Sequence, residues 1–143
     1  MEVSSLESLP ISLAVDDRSA VGEARRAAMG LATQLDFSEE DAGRVGLIVT
    51  EAASNLVQHA GGGEVIVRPI ADGRGPGVEA LVVDRGSGIA DPAMAARDGY
   101  STAGTPGTGL GAVARTADVF DIHAAPGMGT VVFARVWKRE PTP

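Results

Sequence analysis

Residues 98–113 read Asp-Gly-Tyr-Ser-Thr-Ala-Gly-Thr-Pro-Gly-Thr-Gly-Leu-Gly-Ala-Val, a glycine-rich loop that runs directly into a helical pattern. Apolar residues recur at helical spacing from Leu110 through Val113 to Ala117. Glycine allows backbone N–H groups to approach an anion, and a helix start adds unpaired N–H groups with a partial positive charge. We therefore interpret this segment as a phosphate-binding loop, with a plain glycine-rich linker as the alternative.

Two better-known phosphate loops fit this segment poorly. A P-loop ends in Gly-Lys-Ser/Thr, but Ala112 follows the last glycine here, and Lys138 is the only lysine of the chain. Gly107, Gly109 and Ala112 do match the spacing of a dinucleotide-binding Gly-x-Gly-x-x-Gly/Ala motif. That motif must directly follow a buried strand, whereas residues 100–106 have the composition of a loop.

The composition predicts one soluble globular domain over residues 1–143, since 44% of the residues are hydrophobic and no apolar run could span a membrane. Neither a signal peptide nor a cysteine is present, so we expect a cytoplasmic protein without disulfides or thiolate metal sites. Two histidines, His59 and His123, argue against catalytic zinc. A net charge of −7 argues against nucleic-acid binding and anionic membranes, and a bound polyphosphate would need a metal cation beside it.

The order of predicted elements favours an α+β two-layer sandwich with helices on one face of a mainly antiparallel, mixed sheet. A strand at a sheet edge (9–15) precedes a helix (21–35) with N-cap candidates at Asp16, Asp17 and Ser19. A capping box at 38–41 opens a longer helix (39–60), which the glycines at 61–63 end. The remaining predictions are a hairpin (64–70 and 78–84), a short helix (92–97), the helix after the glycine-rich loop and a final hairpin (119–124 and 130–137).

Glu51 and Asn55 lie four residues apart on the second helix and therefore on the same side of it, and His59 continues their row. An exposed polar helix face would explain them, and for His59 we prefer that explanation. The nearly apolar surroundings of Glu51 make a carboxylate costly without a purpose. An amide oxygen suits Mg²⁺, and a nearby carboxylate can orient or deprotonate a hydroxyl.

Asp84 stands where an apolar strand ends and a Gly-x-Gly turn, Gly86 and Gly88, begins. Its carboxylate could accept a hydrogen bond from an exocyclic amine such as that of adenine, and the glycines would let a flat ring approach the backbone. Thr130, at the start of the last strand, could reach the same pocket. The alternatives are an Asx-turn for Asp84 and ordinary strand propensity for Thr130.

Taken together, these motifs resemble the N box, the two glycine boxes and the final Gly-Thr of the GHKL ATP-binding superfamily. The set comprises Glu51-x-x-x-Asn55, Asp84-x-Gly86-x-Gly88, Gly107-x-Gly109-x-Gly111 and Gly129-Thr130, in this order. Within the superfamily, the short chain and residues 98–104 are similar to the bacterial anti-sigma and stressosome serine/threonine kinases of the RsbT type. The resemblance covers about residues 14–136 and implies the Bergerat fold with a flexible ATP lid at about 85–108.

The resemblance also implies residue roles. Glu51 would be the catalytic base, Asn55 the Mg²⁺ ligand and Asp84 the adenine contact, while Gly88 would shape the base pocket. Contacts to the phosphates would come from Gly107, Thr108, Gly109, Leu110 and Gly111. The lid has no lysine and only two arginines, Arg85 and Arg97, so the cation that would stabilise the transferring phosphoryl group is left open.

The resemblance implies a kinase that transfers phosphate from ATP to a Ser or Thr of a STAS-domain antagonist, in partner switching that controls a sigma factor or a stress phosphatase. The alternative is a non-catalytic ATP-binding module that regulates a SpoIIE-type serine phosphatase or sequesters a sigma factor. The presence of Glu51 favours the kinase. The chain has no helical hairpin carrying a phospho-acceptor histidine and no receiver domain, which argues against histidine-kinase activity.

Overall fold

Eight regular elements and one π-helical turn build the part of the chain that the computed structural model describes, residues 10–84, 109–125 and 129–139. The strands are β1 (Ile11–Val15), β2 (Gly63–Asp72), β3 (Gly75–Asp84), β4 (Val119–Ala125) and β5 (Gly129–Trp137). The helices are α1 (Arg18–Gln34), α2 (Glu39–Asn55) and α3 (Leu110–Thr116), and the π-helical turn is Leu56–Ala60. The predicted short helix at 92–97 and most of the predicted lid lie outside the described residues.

The strands form a single sheet in the order β1-β2-β3-β5-β4, and each of the four described pairings is antiparallel. The predicted α+β sandwich and both predicted hairpins are confirmed, as is the placement of the first strand at an edge. The hairpin of β2 and β3 turns more tightly than predicted, because Asp72 Oδ1 accepts a hydrogen bond from the Arg74 N–H at 2.7 Å. Only Gly73 and Arg74 remain between the two strands.

The hydrophobic core lies between the helices and one face of the sheet. Alternate residues of the central strands point into it, among them Val78, Ala80 and Val82 of β3. From α2, the buried residues Val45, Ile48, Val49, Ala52 and Ala53 pack against them. The predicted burial of residues 80–83 on both faces is correct only in part, because Leu81 and Val83, on the other face, are half-buried.

Both long helices begin at side-chain caps. Asp17 Oδ1 accepts hydrogen bonds from the N–H groups of Ser19 and Ala20 at 3.0 and 3.2 Å, and Ser38 Oγ accepts one from the Asp41 N–H at 3.1 Å. The first helix therefore starts at Arg18, three residues earlier than its apolar pattern predicts, because its first two residues are polar and give no apolar signal.

Asp41, the last residue of the predicted capping box, pairs with a residue far along the chain in addition to its place in the first turn of α2. The carboxylate of Asp41 is 2% exposed and pairs with the guanidinium of Arg44 at 3.3 Å and with the backbone N–H of Arg139 at 3.1 Å. Arg44 also donates to the Thr116 carbonyl at 2.7 Å and to the Asp118 carboxylate at 2.9 Å. The amino end of α2 is thus joined to the carboxyl end of α3 and to the end of β5.

The second helix changes form before it ends. Its α-helical part stops at Asn55, and residues 56–60 continue as a π-helical turn. Gly61 then adopts φ of 75°, and the N–H groups of Gly61 and Gly62 both reach the Leu56 carbonyl. The predicted glycine stop is confirmed, while the π-helical turn was not predicted. In the described part of the chain, no helix combines the length and apolar character needed to cross a bilayer.

Candidate active site

Glu51 and Asn55 lie one turn apart at the carboxyl end of α2, the helix that packs across the sheet. Glu51 is half-buried, and Asn55 is 8% exposed. No donor among the described residues reaches the buried Asn55 Oδ1 atom. A buried acceptor without a donor costs about 1–3 kcal/mol. Such a cost is typical of an atom whose partner is a ligand, and an amide oxygen is one of the ligands that Mg²⁺ accepts.

The Glu51 carboxylate lies against the start of α3. Gly109 is the N-cap of this helix and has φ of 87°, a conformation that favours glycine. A Cβ atom built on Gly109 would come within 2.6 Å of Glu51 Oε1. Gly109, the residue directly before α3, therefore meets α2 at Glu51, and the role of Glu51 as a catalytic carboxylate stays a prediction.

Asp84 ends β3 on the helix-facing side of the sheet, next to the first residues of β5. Asp84 is 7% exposed and Thr130 is 3% exposed. Gly129 has φ of 94°, and a Cβ atom there would lie 2.5 Å from the Asp84 carbonyl oxygen and 3.3 Å from its Oδ1. Gly129 thus packs directly on Asp84, and Thr130 is the next residue, so the structure brings the final Gly-Thr close to Asp84.

Gly63, which the sequence interpretation used only to end a helix, connects the two halves of the site. A side chain at Gly63 would collide with the Val83 carbonyl oxygen and would lie 2.9 Å from Leu56 Cδ2 and 3.0 Å from the Asp84 Cα. Leu56 directly follows Asn55, so Gly63 allows the end of α2 to lie close against the end of β3. A helix end requires one glycine, so the run of three was the sequence signal that one of them serves another purpose, here the close approach of two elements.

Of the remaining predicted residues, some lie in the described part of the chain and others lie outside it. Leu110 is fully buried in the hydrophobic core, so that only its backbone is left for a ligand, and Gly111 is buried beside it. His59 is exposed in the π-helical turn, in agreement with its interpretation as a surface residue. Predictions for the others concern residues outside the described part of the chain: Gly86, Gly88, Gly107 and Thr108.

Within the described ranges, no three His, Cys, Asp or Glu side chains are grouped so that they could hold a metal ion. This does not argue against Mg²⁺ beside a nucleotide, because Mg²⁺ typically keeps several waters and takes its other ligands from one or two protein oxygens and the substrate phosphates. The buried Asn55 Oδ1 atom meets that requirement for one oxygen.

Comparisons with known proteins bear on the family and the fold of the chain. The sequence profile of the family described as "Histidine kinase-like ATPase domain" matches residues 14–136. Serine/threonine-protein kinase RsbT of Bacillus subtilis (strain 168) is 34% identical over 116 residues, which are 81% of this chain and 87% of that protein. Among solved structures, the mycobacterial sensor histidine kinase MprB matches with a TM-score of 0.54 at 17% identity, over 92% of this chain and 97% of the other. At that identity the likeness concerns the fold.

Proposed function

Since this chain belongs to the family of histidine kinase-like ATPase domains, and within it to the RsbT-type serine/threonine kinases, we propose that it phosphorylates a STAS-domain antagonist protein in a bacterial partner-switching pathway. The output would be control of a sigma factor or of a stress phosphatase. The observation that carries the proposed site is the buried Oδ1 of Asn55, which no donor of the described residues reaches, one helical turn after a carboxylate that lies against Gly109. A cytoplasmic location remains a prediction from the sequence.

In the proposed binding mode, ATP lies between the two halves of the site. The Asp84 carboxylate would accept a hydrogen bond from the exocyclic amine of adenine, with Gly86, Gly88 and Thr130 around the base. Backbone N–H groups of residues 107–111 would bind the phosphates. Asn55 Oδ1 would provide the protein ligand to Mg²⁺, which neutralises charge on the phosphates when it is bound.

Glu51 would act as the general base. The serine or threonine oxygen of the substrate attacks the γ-phosphorus, a new O–P bond forms, and the bond from that phosphorus to the bridging β–γ oxygen breaks, so that ADP leaves. The hydroxyl proton passes to the Glu51 carboxylate. Because Glu51 packs against Gly109 at the glycine-rich loop, its carboxylate is close to where the phosphates are expected, and positioning would supply most of the rate.

Transfer of label from γ-labelled ATP to STAS-domain proteins of the source organism, with Mg²⁺ present, tests this proposal. Glu51→Gln should lower transfer at least about 100-fold, in the range that a positioned acid or base contributes. Glu23→Gln, an exposed glutamate of α1, is the matched control and should transfer label like the wild type. Binding of ATP by the wild type without transfer to any STAS protein would instead favour the regulatory module, and absence of ATP binding would contradict both functions.

A further inference from the structure

Three charged residues cross the sheet on the face opposite the helices. Arg68 of β2, Glu79 of β3 and Arg135 of β5 are direct cross-strand neighbours. Val78 and Ala80, on either side of Glu79, point into the helix-covered core, so Glu79 points to the other face. Its carboxylate, 1% exposed, bonds to Arg68 Nε at 2.7 Å and to Arg135 Nε at 3.1 Å. The single negative charge of Glu79 is therefore paired with two positively charged guanidinium groups, so this group of three side chains has a net charge of +1.

These arginines border an open depression of about 390 Å³ on the sheet surface, which we call the arginine-lined depression. Its other walls include Asp72 and Trp137, and the Arg74 guanidinium lies 5.1 Å from the centre of the Trp137 ring. The positive charges of three arginines thus exceed the two negative charges of Glu79 and Asp72 at this place. In a chain of net charge −7, this excess of positive charge marks a place that attracts an anionic group.

Trp137 gives independent support for a ligand at this place. It is 7% exposed, and its ring packs on Gly77, where a Cβ atom would lie 2.7 Å from Trp137 Cε3. The Nε1 donor is buried and finds no acceptor among the residues that the structure describes. A buried donor without an acceptor is costly, and a carboxylate oxygen would satisfy it.

Apolar side chains continue from the depression along the same sheet face. They are half-buried, and none of the described helices packs on them: Ile66, Leu81, Val83, Val131 and Phe133. A partner that offers apolar side chains beside a carboxylate would complement this apolar stripe and the arginines at its end.

We propose that this face is a docking site for a protein partner, and that the partner inserts an acidic side chain of an extended segment into the arginine-lined depression. The guanidinium Nη1 atoms of Arg68 and Arg135 have no acceptor in the described residues, and together with Trp137 Nε1 they would bind the carboxylate. The site lies on the face away from Glu51, so a partner held here leaves nucleotide binding free. The proposal does not depend on the kinase activity.

Trp137 is the only tryptophan of the chain, so its fluorescence reports on the depression directly. The full chain would be titrated with a blocked octapeptide of alternating glutamate and valine, and with the same peptide carrying glutamine for glutamate. We expect saturable quenching or a spectral shift with the glutamate peptide, and affinity at least about tenfold lower for the glutamine peptide.

Two variants and a control test the role of the arginines. Arg74→Gln leaves the pairing of Glu79 intact, and Arg68→Gln leaves Glu79 paired to Arg135, so both should fold. Each is expected to lower the affinity for the glutamate peptide about fivefold or more. Arg26→Gln, on the exposed side of α1, should leave that affinity unchanged. Affinity for ATP should stay unchanged in all three, which separates loss of docking from failure of the nucleotide site.

Several results would overturn the proposal. Equal response to the glutamate and glutamine peptides, or equal binding by the wild type and the two arginine variants, would exclude recognition of a carboxylate. The same response to acetate or inorganic phosphate alone at the same concentration would indicate a small-anion pocket. A dimer in sedimentation experiments that Arg74→Gln disrupts would mean that the face joins two copies of this chain.

Discussion

Substitution of Gly109 by alanine separates the conformational role of this residue from its contact with Glu51. The backbone conformation with φ of 87° disfavours any side chain, at a cost of about 1–2 kcal/mol in unfolding free energy. The new Cβ atom would also lie 2.6 Å from Glu51 Oε1, while ordinary contact begins at 3.4 Å, so the carboxylate has to withdraw by about 0.8 Å. Because Oε1 is the far end of a flexible side chain, this movement adds little to the loss of stability.

Gly61 provides the matched control, because it has a similar φ of 75° but a Cβ atom built on it would meet nothing within 4 Å. Gly61→Ala and Gly109→Ala should therefore lower the melting temperature by a similar amount, roughly 3–6 °C for a domain of this size. Only Gly109→Ala should slow phosphotransfer, by about 100-fold, since misplacing a catalytic group by nearly 1 Å costs about that much.

Thermal denaturation by circular dichroism measures the first effect, and single-turnover transfer from γ-labelled ATP measures the second. If Gly61→Ala slowed transfer as much as Gly109→Ala, the loss would come from general destabilisation. If Gly109→Ala transferred phosphate at the wild-type rate, the contact between Gly109 and Glu51 would have no part in catalysis.

Three single side chains give further predictions. Asn55→Ala should abolish Mg²⁺-dependent ATP binding in calorimetry, because it removes the proposed protein ligand. Asp84→Asn should weaken the binding of adenine nucleotides at least about tenfold while that of guanine nucleotides changes less, since it replaces the charged carboxylate proposed to accept from the exocyclic amine by a neutral amide that presents a donor in place of one oxygen. Asp118→Ala should lower the unfolding free energy at pH 7 by about 1–3 kcal/mol, because the hydrogen-bond donors on Arg44 and the Trp137 N–H lose their acceptor.

The effect of Asp118 should also depend on pH. Burial by itself would raise the pKa of this carboxyl. The hydrogen bonds that it accepts from the backbone N–H of Trp137 and from the Arg44 guanidinium outweigh burial, so that its pKa lies below the ordinary value of 3.8. A depressed pKa stabilises the fold above that value, and the contribution disappears as the pH falls through the lower pKa of the folded state. Acid unfolding curves of the wild type and Asp118→Ala should therefore converge below pH 3.8, and a constant difference at all pH values would contradict this assignment.

Unchanged affinity of Asn55→Ala for ATP and Mg²⁺ would remove Asn55 from the metal site, and Gln58→Ala, exposed in the next turn, controls for changes to the helix. For Asp84→Asn, an equal loss for all nucleotides would point to a folding defect instead of base recognition.

Much of the architecture follows from local sequence signals. Ser38 caps α2 because its hydroxyl is one turn before a free N–H, and the glycines at 61–63 end the helix. Glu51 and Asn55 are four residues apart, so they lie on the same side of any α-helix that contains them. These features were predictable because each depends on residues within one turn of one another.

Features that depend on distant partners could not be predicted in this way. Asp41 appeared to be an ordinary first-turn acid, but its partner Arg139 lies 98 residues away. No role was predicted for Glu79, and its importance becomes visible only when the register places it between Arg68 and Arg135. The π-helical turn at 56–60 escaped prediction because an apolar pattern does not distinguish it from an α-helical turn.

The strand order also has a consequence for how the chain folds. Strands β2 and β3 form one local hairpin and β4 and β5 another, while the pairing of β3 with β5 joins the two across more than forty residues. Local hairpins close quickly, and pairings between distant segments form later. Asp84 belongs to the first hairpin and Thr130 to the second, so the proposed adenine pocket does not exist until the two hairpins have joined. A nucleotide bound there would contact both hairpins and so stabilise the β3–β5 pairing, which forms late. We therefore expect it to slow hydrogen exchange at the β3–β5 pairing more than within either hairpin.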